Sequence, residues 1–338
     1  MPPQRSGERS CARTTNVTRI GLAPVRQYIS AMTVLLPFPV DWLDGAPNGL
    51  AYDEWDGRAP LPAAARDAEL YVQPYLVGMV AVDVIAEMPA LRVIQTLTAG
   101  VDHVRSAVPP GVTLCNARGV HDASTAELAV GLIIAAQRGL GDFVRAQADG
   151  RWELGGIRPA LADATVLVLG YGSIGGALER RLEGFEVELI RVASRPREGV
   201  HGVDELPSLL SRADVVVVLV PLTEATRGMV DAAFLARMCD GALLVNVSRG
   251  AVVDTDALVA ETTSGRLRAA LDVTDPEPLP PEHALWRSPG VLITPHAGGA
   301  STAMEPRMRR LVTGQLERYA RGAPLVNVVV AGARYPAV

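Results

Sequence analysis

The sequence predicts an α/β chain of two doubly wound domains, and three observations carry that prediction. Strand-like runs alternate with helical stretches from Thr33 onward, in two successive series. The runs of the second series are almost wholly apolar, as parallel strands covered on both faces read. One of these runs leads straight into a glycine-rich turn that opens a helix. A chain of 338 residues is also too long for one small core, which suits two domains.

The elements follow in order. Residues 1–31 carry five Arg and one Glu, with little periodicity. Such a segment reads as a disordered extension, as residues upstream of a start at Met32, or as an organelle transit peptide. The first series of strands is expected at Thr33–Leu36, Leu70–Val72, Arg92–Leu97 and Val112–Cys115. A long helix is expected over Ala123–Arg138, capped by Asp122 or Ser124. The second series is expected at Thr165–Leu169, Val187–Val192, Val215–Val220, Ala242–Val247, Ala269–Val273 and Val291–Thr294. Helical stretches separate these runs, which is the doubly wound pattern.

Composition narrows the function classes. With 49% hydrophobic and 20% charged residues the chain reads as globular rather than disordered. The longest apolar run, Leu128–Ala136, holds nine residues, too few to span a bilayer as a helix. Acidic residues outnumber basic ones 37 to 32, so nucleic acid is not the expected partner. All 32 basic residues are Arg, which excludes Schiff-base chemistry and a lysine-dependent phosphate loop. Cys11, Cys115 and Cys239 show neither metal-ligand spacing nor a disulfide framework; a reducing cytoplasm fits, and no metal is expected.

Strand Thr165–Leu169 runs into Gly170-Tyr171-Gly172-Ser173-Ile174-Gly175, with a helix extending to about Glu183. Gly170 permits the tight turn, Gly172 lets backbone approach a pyrophosphate, and Gly175 lets the helix pack close to the strand. The helix N-terminus then offers N–H groups and partial positive charge to phosphates. Dinucleotide binding in a Rossmann-like domain is therefore expected. The next strand ends in Val192-Ala193-Ser194-Arg195-Pro196-Arg197, with no acid where an NAD site keeps Asp or Glu for the ribose 2′-OH. Ser194, Arg195 and Arg197 suit a 2′-phosphate instead. This favours NADP, with NAD possible; a solvated basic turn is the plainer account.

Three further strand ends carry unusual polar residues: Arg249, Glu277 in a proline-rich loop, and His296. Singly, they also read as a surface ion pair, a solvated acid and a structural histidine. Together they make a reduction site. Arg249 can grip a substrate carboxylate and polarise the neighbouring keto oxygen. His296 can donate a proton to that oxygen, and Glu277 beside it favours the imidazolium. His121, His201 and His283 have no evident partner, and His103 reads equally as a substrate contact or a solvated turn residue.

Gly170–Gly175, Pro221-Leu222-Thr223-Glu224-Ala225-Thr226, Asn246–Gly250, Pro276-Glu277-Pro278 and Pro295–Gly299, in that order, make the chain resemble the D-2-hydroxyacid dehydrogenases from about Thr33 to Val330. The resemblance implies a cofactor domain, residues 120–298, inserted in a discontinuous flavodoxin-like substrate domain, residues 32–119 and 299–338. It implies Arg249, Glu277 and His296 as catalytic residues. Around the dinucleotide it implies Val220, Pro221 and Thr226 beside the glycine loop. Val247, Ser248, Arg249, Asp272, His296 and Gly298 follow from the later strand ends. Thr98-Ala99-Gly100-Val101-Asp102-His103 resembles the substrate turn, with Ala99, Gly100 and Val101 facing the carboxylate beside Arg249 and His296. Members are usually homodimers, and the helix around Ala126-Glu127 resembles the interface helix.

Two departures matter. Glu186 follows Phe185 where the family commonly has Gly, and formate dehydrogenases carry Gln at the position of Glu277, which disfavours that activity. The expected function is NADPH-dependent reduction of a small 2-keto acid such as glyoxylate or hydroxypyruvate. Alternatives are an NAD-linked or phosphoglycerate-type dehydrogenase, or a dinucleotide-sensing corepressor without turnover.

Overall fold

The computed structural model describes residues 32–75 and 77–335, so the expectations for residues 1–31 lie outside the described residues. The chain first lays down β1 (Met32–Leu36), β2 (Leu50–Glu54), β3 (Ala68–Val72), β4 (Val93–Gln95) and β5 (Thr113–Cys115). They pair in parallel in the order β2-β1-β3-β4-β5, the flavodoxin-like winding. A last strand from the far end of the chain, Val328–Val330, adds antiparallel to β5 and completes six strands.

Between these two contributions lies a seven-stranded sheet. Its strands are β6 (Thr165–Leu169), β7 (Glu188–Ala193), β8 (His201–Gly202), β9 (Val215–Val218), β10 (Leu243–Asn246), β11 (Arg268–Leu271) and β12 (Val291–Ile293). The order is β12-β11-β10-β9-β6-β7-β8 and every pairing is parallel. The winding reverses between β6 and β9, so a crevice opens at the carboxyl ends of the strands there. The uniform apolarity of β9 has a direct cause. Val216 and Val218 enter one core, Val215 and Val217 the other, and all four are fully buried. Each such burial is worth about 1.5–3 kcal/mol.

Helix Asp122–Arg138 carries the chain from β5 to the second sheet and stops at Gly139, whose φ of +65° ends the helix. Its expected cap does not form. His121 is the N-cap residue and makes no side-chain cap bond, while Asp122 and Ser124 lie inside the first turn. Asp122 bonds instead to the Gly119 N–H and to the Ser173 hydroxyl, and Ser124 to Ser301 at 2.6 Å. These polar groups tie the helix start to neighbouring chain and leave none for capping. The return path after β12 leads to helix Met304–Ala320, whose Met308, Val312, Leu316 and Tyr319 pack with Val34, Leu36, Leu70 and Val72 of the first sheet.

At the turn into β7, Glu186 adopts φ +60°, the left-handed conformation that explains why glycine suits this place. Among the described residues no helix is long and apolar enough to cross a membrane. None of them form a cluster of three or more His, Cys, Asp or Glu able to hold a metal.

Candidate active site

The glycine loop is shaped by contact with the next strand end. Gly170 has φ +101°, and a Cβ there would stand 2.6 Å from the backbone of Leu219 and Val220. No other residue fits. At Gly172 a Cβ would meet nothing nearer than 4.0 Å, so the bare backbone faces open space. At Gly175 it would press on Tyr171, the Gly170 carbonyl and Val168 at 3.2–3.4 Å. Helix Ser173–Leu182 starts here, and the first N–H groups of a helix lack internal acceptors. An exposed turn, bare backbone and a helix N-terminus together fit a pyrophosphate.

Other residues expected around the dinucleotide are arranged less simply. The Ser173 hydroxyl is held by Asp122, Ile174 packs partly into the core, and Val220 and Val247 are buried. The Thr226 hydroxyl folds back onto its own loop, donating to the Pro221 carbonyl at 2.6 Å. Ser248 donates to Asn246 at 2.9 Å. Past β7, Ser194 and Arg195 are exposed and bond to no other described residue. Arg197 donates to the Tyr171 carbonyl at 2.8 Å.

Arg249 follows β10 and reaches the other sheet. Its Nε donates to Asp102 at 3.2 Å and Nη1 to the Ser248 carbonyl at 2.8 Å. The second Nη lies against Gly100, where a Cβ would come within 1.9 Å of it. The turn beneath is braced by Asn116, which donates to the Ala99 carbonyl at 2.7 Å, and by Thr98, which donates to the Gly100 carbonyl at 2.8 Å. The Gly100 and Val101 N–H groups bond to no described residue. A guanidinium and two backbone donors thus converge where a carboxylate can be held. His103 beside them contacts the buried Gln73 at 3.4 Å. Burial holds its pKa below the usual histidine value, Asp102 opposing and Arg249 adding to the shift.

Glu277 and His296 leave adjacent parallel strands, β11 and β12, and meet at 2.6 Å between Oε1 and Nδ1. His296 has φ +52°, and its N–H donates to the Asp272 carbonyl at 2.7 Å. Asp272, expected beside the dinucleotide, is 2% exposed and turned to the protein. Its carboxylate accepts bonds from Thr294, Ala297 and Gly298 at 2.6–2.8 Å and clamps the loop that carries His296. Against the loop of Arg249, a Cβ on Gly250 would strike the Thr274 carbonyl at 1.9 Å. That contact locks the ends of β10 and β11 together.

The fold therefore brings Arg249 to the turn at Ala99, Gly100 and Val101, and Glu277 to His296, at the carboxyl edge of one sheet. Sequence reasoning missed the ion pair of Asp102 and the clamp of Asp272. An acid closing an otherwise apolar strand was the available signal for the second. The remaining histidines do have partners. His121 bonds to the Leu97 carbonyl and stacks on Tyr75, His201 bonds to Glu205, and His283 caps a short turn.

A Rossmann-type sheet with a dinucleotide cradle, facing a guanidinium and a paired imidazole, defines a nicotinamide-dependent oxidoreductase. The chain belongs to the D-isomer specific 2-hydroxyacid dehydrogenases: residues 130–298 match the NAD binding domain of that family. The glyoxylate reductase of Korarchaeum cryptofilum is 33% identical over 82% of this chain and 89% of its own length. Human glyoxylate reductase/hydroxypyruvate reductase is 32% identical over 81% and 89%. Among solved structures, the NADPH-dependent glyoxylate/hydroxypyruvate reductase of Sinorhizobium meliloti, with NADP and malonate bound, superposes with a TM-score of 0.74 at 28% identity, covering 91% of this chain and 99% of that one. The protein is an NAD(P)-dependent enzyme acting between a small 2-keto acid and its 2-hydroxy acid.

Proposed function

We propose that the protein reduces a small 2-keto acid of the glyoxylate or hydroxypyruvate type to the D-2-hydroxy acid, with NADPH as the preferred reductant. The observation that carries this reading is the Arg249 guanidinium beside the free N–H groups of Gly100 and Val101, on the same edge as the His296–Glu277 pair. The nicotinamide cofactor, when bound, supplies the hydride. Arg249 and the two N–H groups hold the substrate carboxylate, and the guanidinium polarises the keto oxygen. His296 gives that oxygen its proton through Nε2, because Nδ1 is engaged by Glu277. The carboxylate of Glu277 orients the ring and balances the imidazolium charge.

Residues 120–298 serve as the cofactor domain in this reading, and the rest of the described chain as the substrate domain. Ser194 and Arg195 receive the 2′-phosphate, supported by their exposure, by the missing acid, and by the bound NADP of the Sinorhizobium relative. A second copy of the chain is the proposed partner. Val144, Trp152, Leu154 and Ile157 present apolar surface, Trp152 at 94% and Leu154 at 83% exposure, which burial between two copies would remove from water. Ala126 is buried in its own core while Glu127 beside it is exposed, so in this reading the outer face of that helix joins the later apolar segment in the contact.

The test is steady-state oxidation of NADPH and NADH across a panel of 2-keto acids, with Arg195→Ala alongside. One charge-assisted hydrogen bond is worth about 1.5–3 kcal/mol, so the variant should lose roughly 10- to 150-fold in kcat/KM for NADPH and little for NADH. Equal or better use of NADH by the wild type would overturn the cofactor assignment.

A further inference from the structure

Tyr171 occupies the first variable place of the glycine loop, where the turn itself requires no aromatic ring. Its ring is nevertheless fixed from two directions, and the acid that holds its hydroxyl is itself anchored. It packs against Gly175, its hydroxyl donates to Glu179, and Glu179 accepts from the Nε of Arg191 on β7 at 2.9 Å. Two guanidiniums then stand near the ring, Arg191 at 5.8 Å and Arg197 at 5.5 Å from its centre. They are not equivalent. Arg191 is neutralised by Glu179, whose carboxyl that pairing holds below the usual range. Arg197 has no acidic partner among the described residues.

Arg197 is also held at both ends. Its backbone exchanges hydrogen bonds with Val200 at 3.0 and 2.8 Å, and its tip donates to the Tyr171 carbonyl. The same loop is stitched to the end of β7, because the Gly170 and Tyr171 N–H groups both donate to the Val192 carbonyl. An uncompensated guanidinium is thus seated in advance at the junction of the glycine loop and β7, where the ribose of a dinucleotide lies. Arg195, exposed and unbonded, has to be ordered on binding.

We propose that Tyr171 is a positioning residue for cofactor choice: its ring and carbonyl seat Arg197 so that a cofactor 2′-phosphate meets an already ordered cation. The proposal rests on the NADPH reading above and adds to it which side chain prepares the site. A cation seated on an aromatic face needs less ordering when its anion arrives, so the gain falls on NADPH and not on NADH.

The test is a double-mutant cycle read as the ratio of kcat/KM for NADPH to that for NADH. Arg197→Ala should lower this ratio by at least about 10-fold, the scale of one charged hydrogen bond. Tyr171→Leu should lower it roughly 2- to 5-fold, the scale of an exposed cation–π contact. Tyr171→Phe keeps the ring and should retain most of the ratio, since the backbone carbonyl is present in every variant. In the Arg197→Ala background, Tyr171→Leu should have no further effect on the ratio. Undiminished loss in that background, or equal loss for both cofactors in the single variant, would overturn the proposal. The wild-type ratio alone tests the NADPH reading, so preference for NADH there would remove that reading, and this proposal with it.

Discussion

Asp272→Asn separates the part of His296 that is chemistry from the part that is placement. The native carboxylate takes two donors on Oδ1, the Thr294 hydroxyl at 2.6 Å and the Ala297 N–H at 2.8 Å, and one on Oδ2, the Gly298 N–H at 2.8 Å. An amide can satisfy only one of these sides. If its oxygen keeps the pair, its NH2 points at the Gly298 N–H, donor against donor, in a site 2% exposed. Losing one charge-assisted bond and leaving a buried N–H unpaired costs about 2–4 kcal/mol. At about 1.5 °C per kcal/mol for a chain this long, the melting temperature should fall by roughly 3–6 °C. The loop that relaxes is the one carrying His296, and a shift near 1 Å at a reacting group costs on the order of 100-fold in rate. Circular dichroism melts and steady-state kinetics on the same preparation read both effects. A variant that melts lower but turns over normally would refute the positional argument. One that melts normally would refute the hydrogen-bond count.

Other consequences can be checked alongside. His296→Ala should lower kcat by at least ~100-fold in a folded protein, the low end for a lost general acid; near-normal turnover would sink its role as proton donor. Glu277→Gln replaces the anion 2.6 Å from the ring with a neutral amide, so reductive kcat should fall while KM for the cofactor changes little, and an unchanged kcat with chemistry rate-limiting would leave Glu277 without this role. Glu186→Gly relieves an exposed left-handed residue at φ +60°, so stability should rise by up to about 1 kcal/mol and the melting temperature with it; a lower melting temperature would contradict the strain argument.

What the sequence disclosed follows from how local each signal is. β6 and its glycine turn are readable because strand, turn and helix are contiguous. The candidate trio of Arg249, Glu277 and His296 is readable because each follows an apolar run. β2 escaped notice because Leu50–Glu54 sits at a sheet edge and ends in acids, which blurs its pattern. β8 is two residues long, too short for any periodicity. Val328–Val330 becomes a strand only by pairing with β5, far earlier in the chain. The same holds within the site. Asp102 lies 147 residues from Arg249 and carries no mark of its partner. The cap expected at Asp122 or Ser124 failed because those side chains serve Ser173 and Ser301, contacts that no local pattern reveals.

The six-stranded sheet draws on both ends of the described chain, and this sets an order of events during synthesis. β1 to β5 leave the ribosome first, but the helix that covers Val34, Leu36, Leu70 and Val72 is Met304–Ala320. At about 5–20 residues per second, some tens of seconds separate the strands from their cover. The seven-stranded sheet, whose strands are contiguous in the chain, can complete itself during that interval. The nascent protein therefore holds a finished cofactor sheet beside an open, apolar sheet face. That half-made state is where chaperones have most to protect, and substitutions in the last helix weigh on yield of folded protein before they weigh on catalysis.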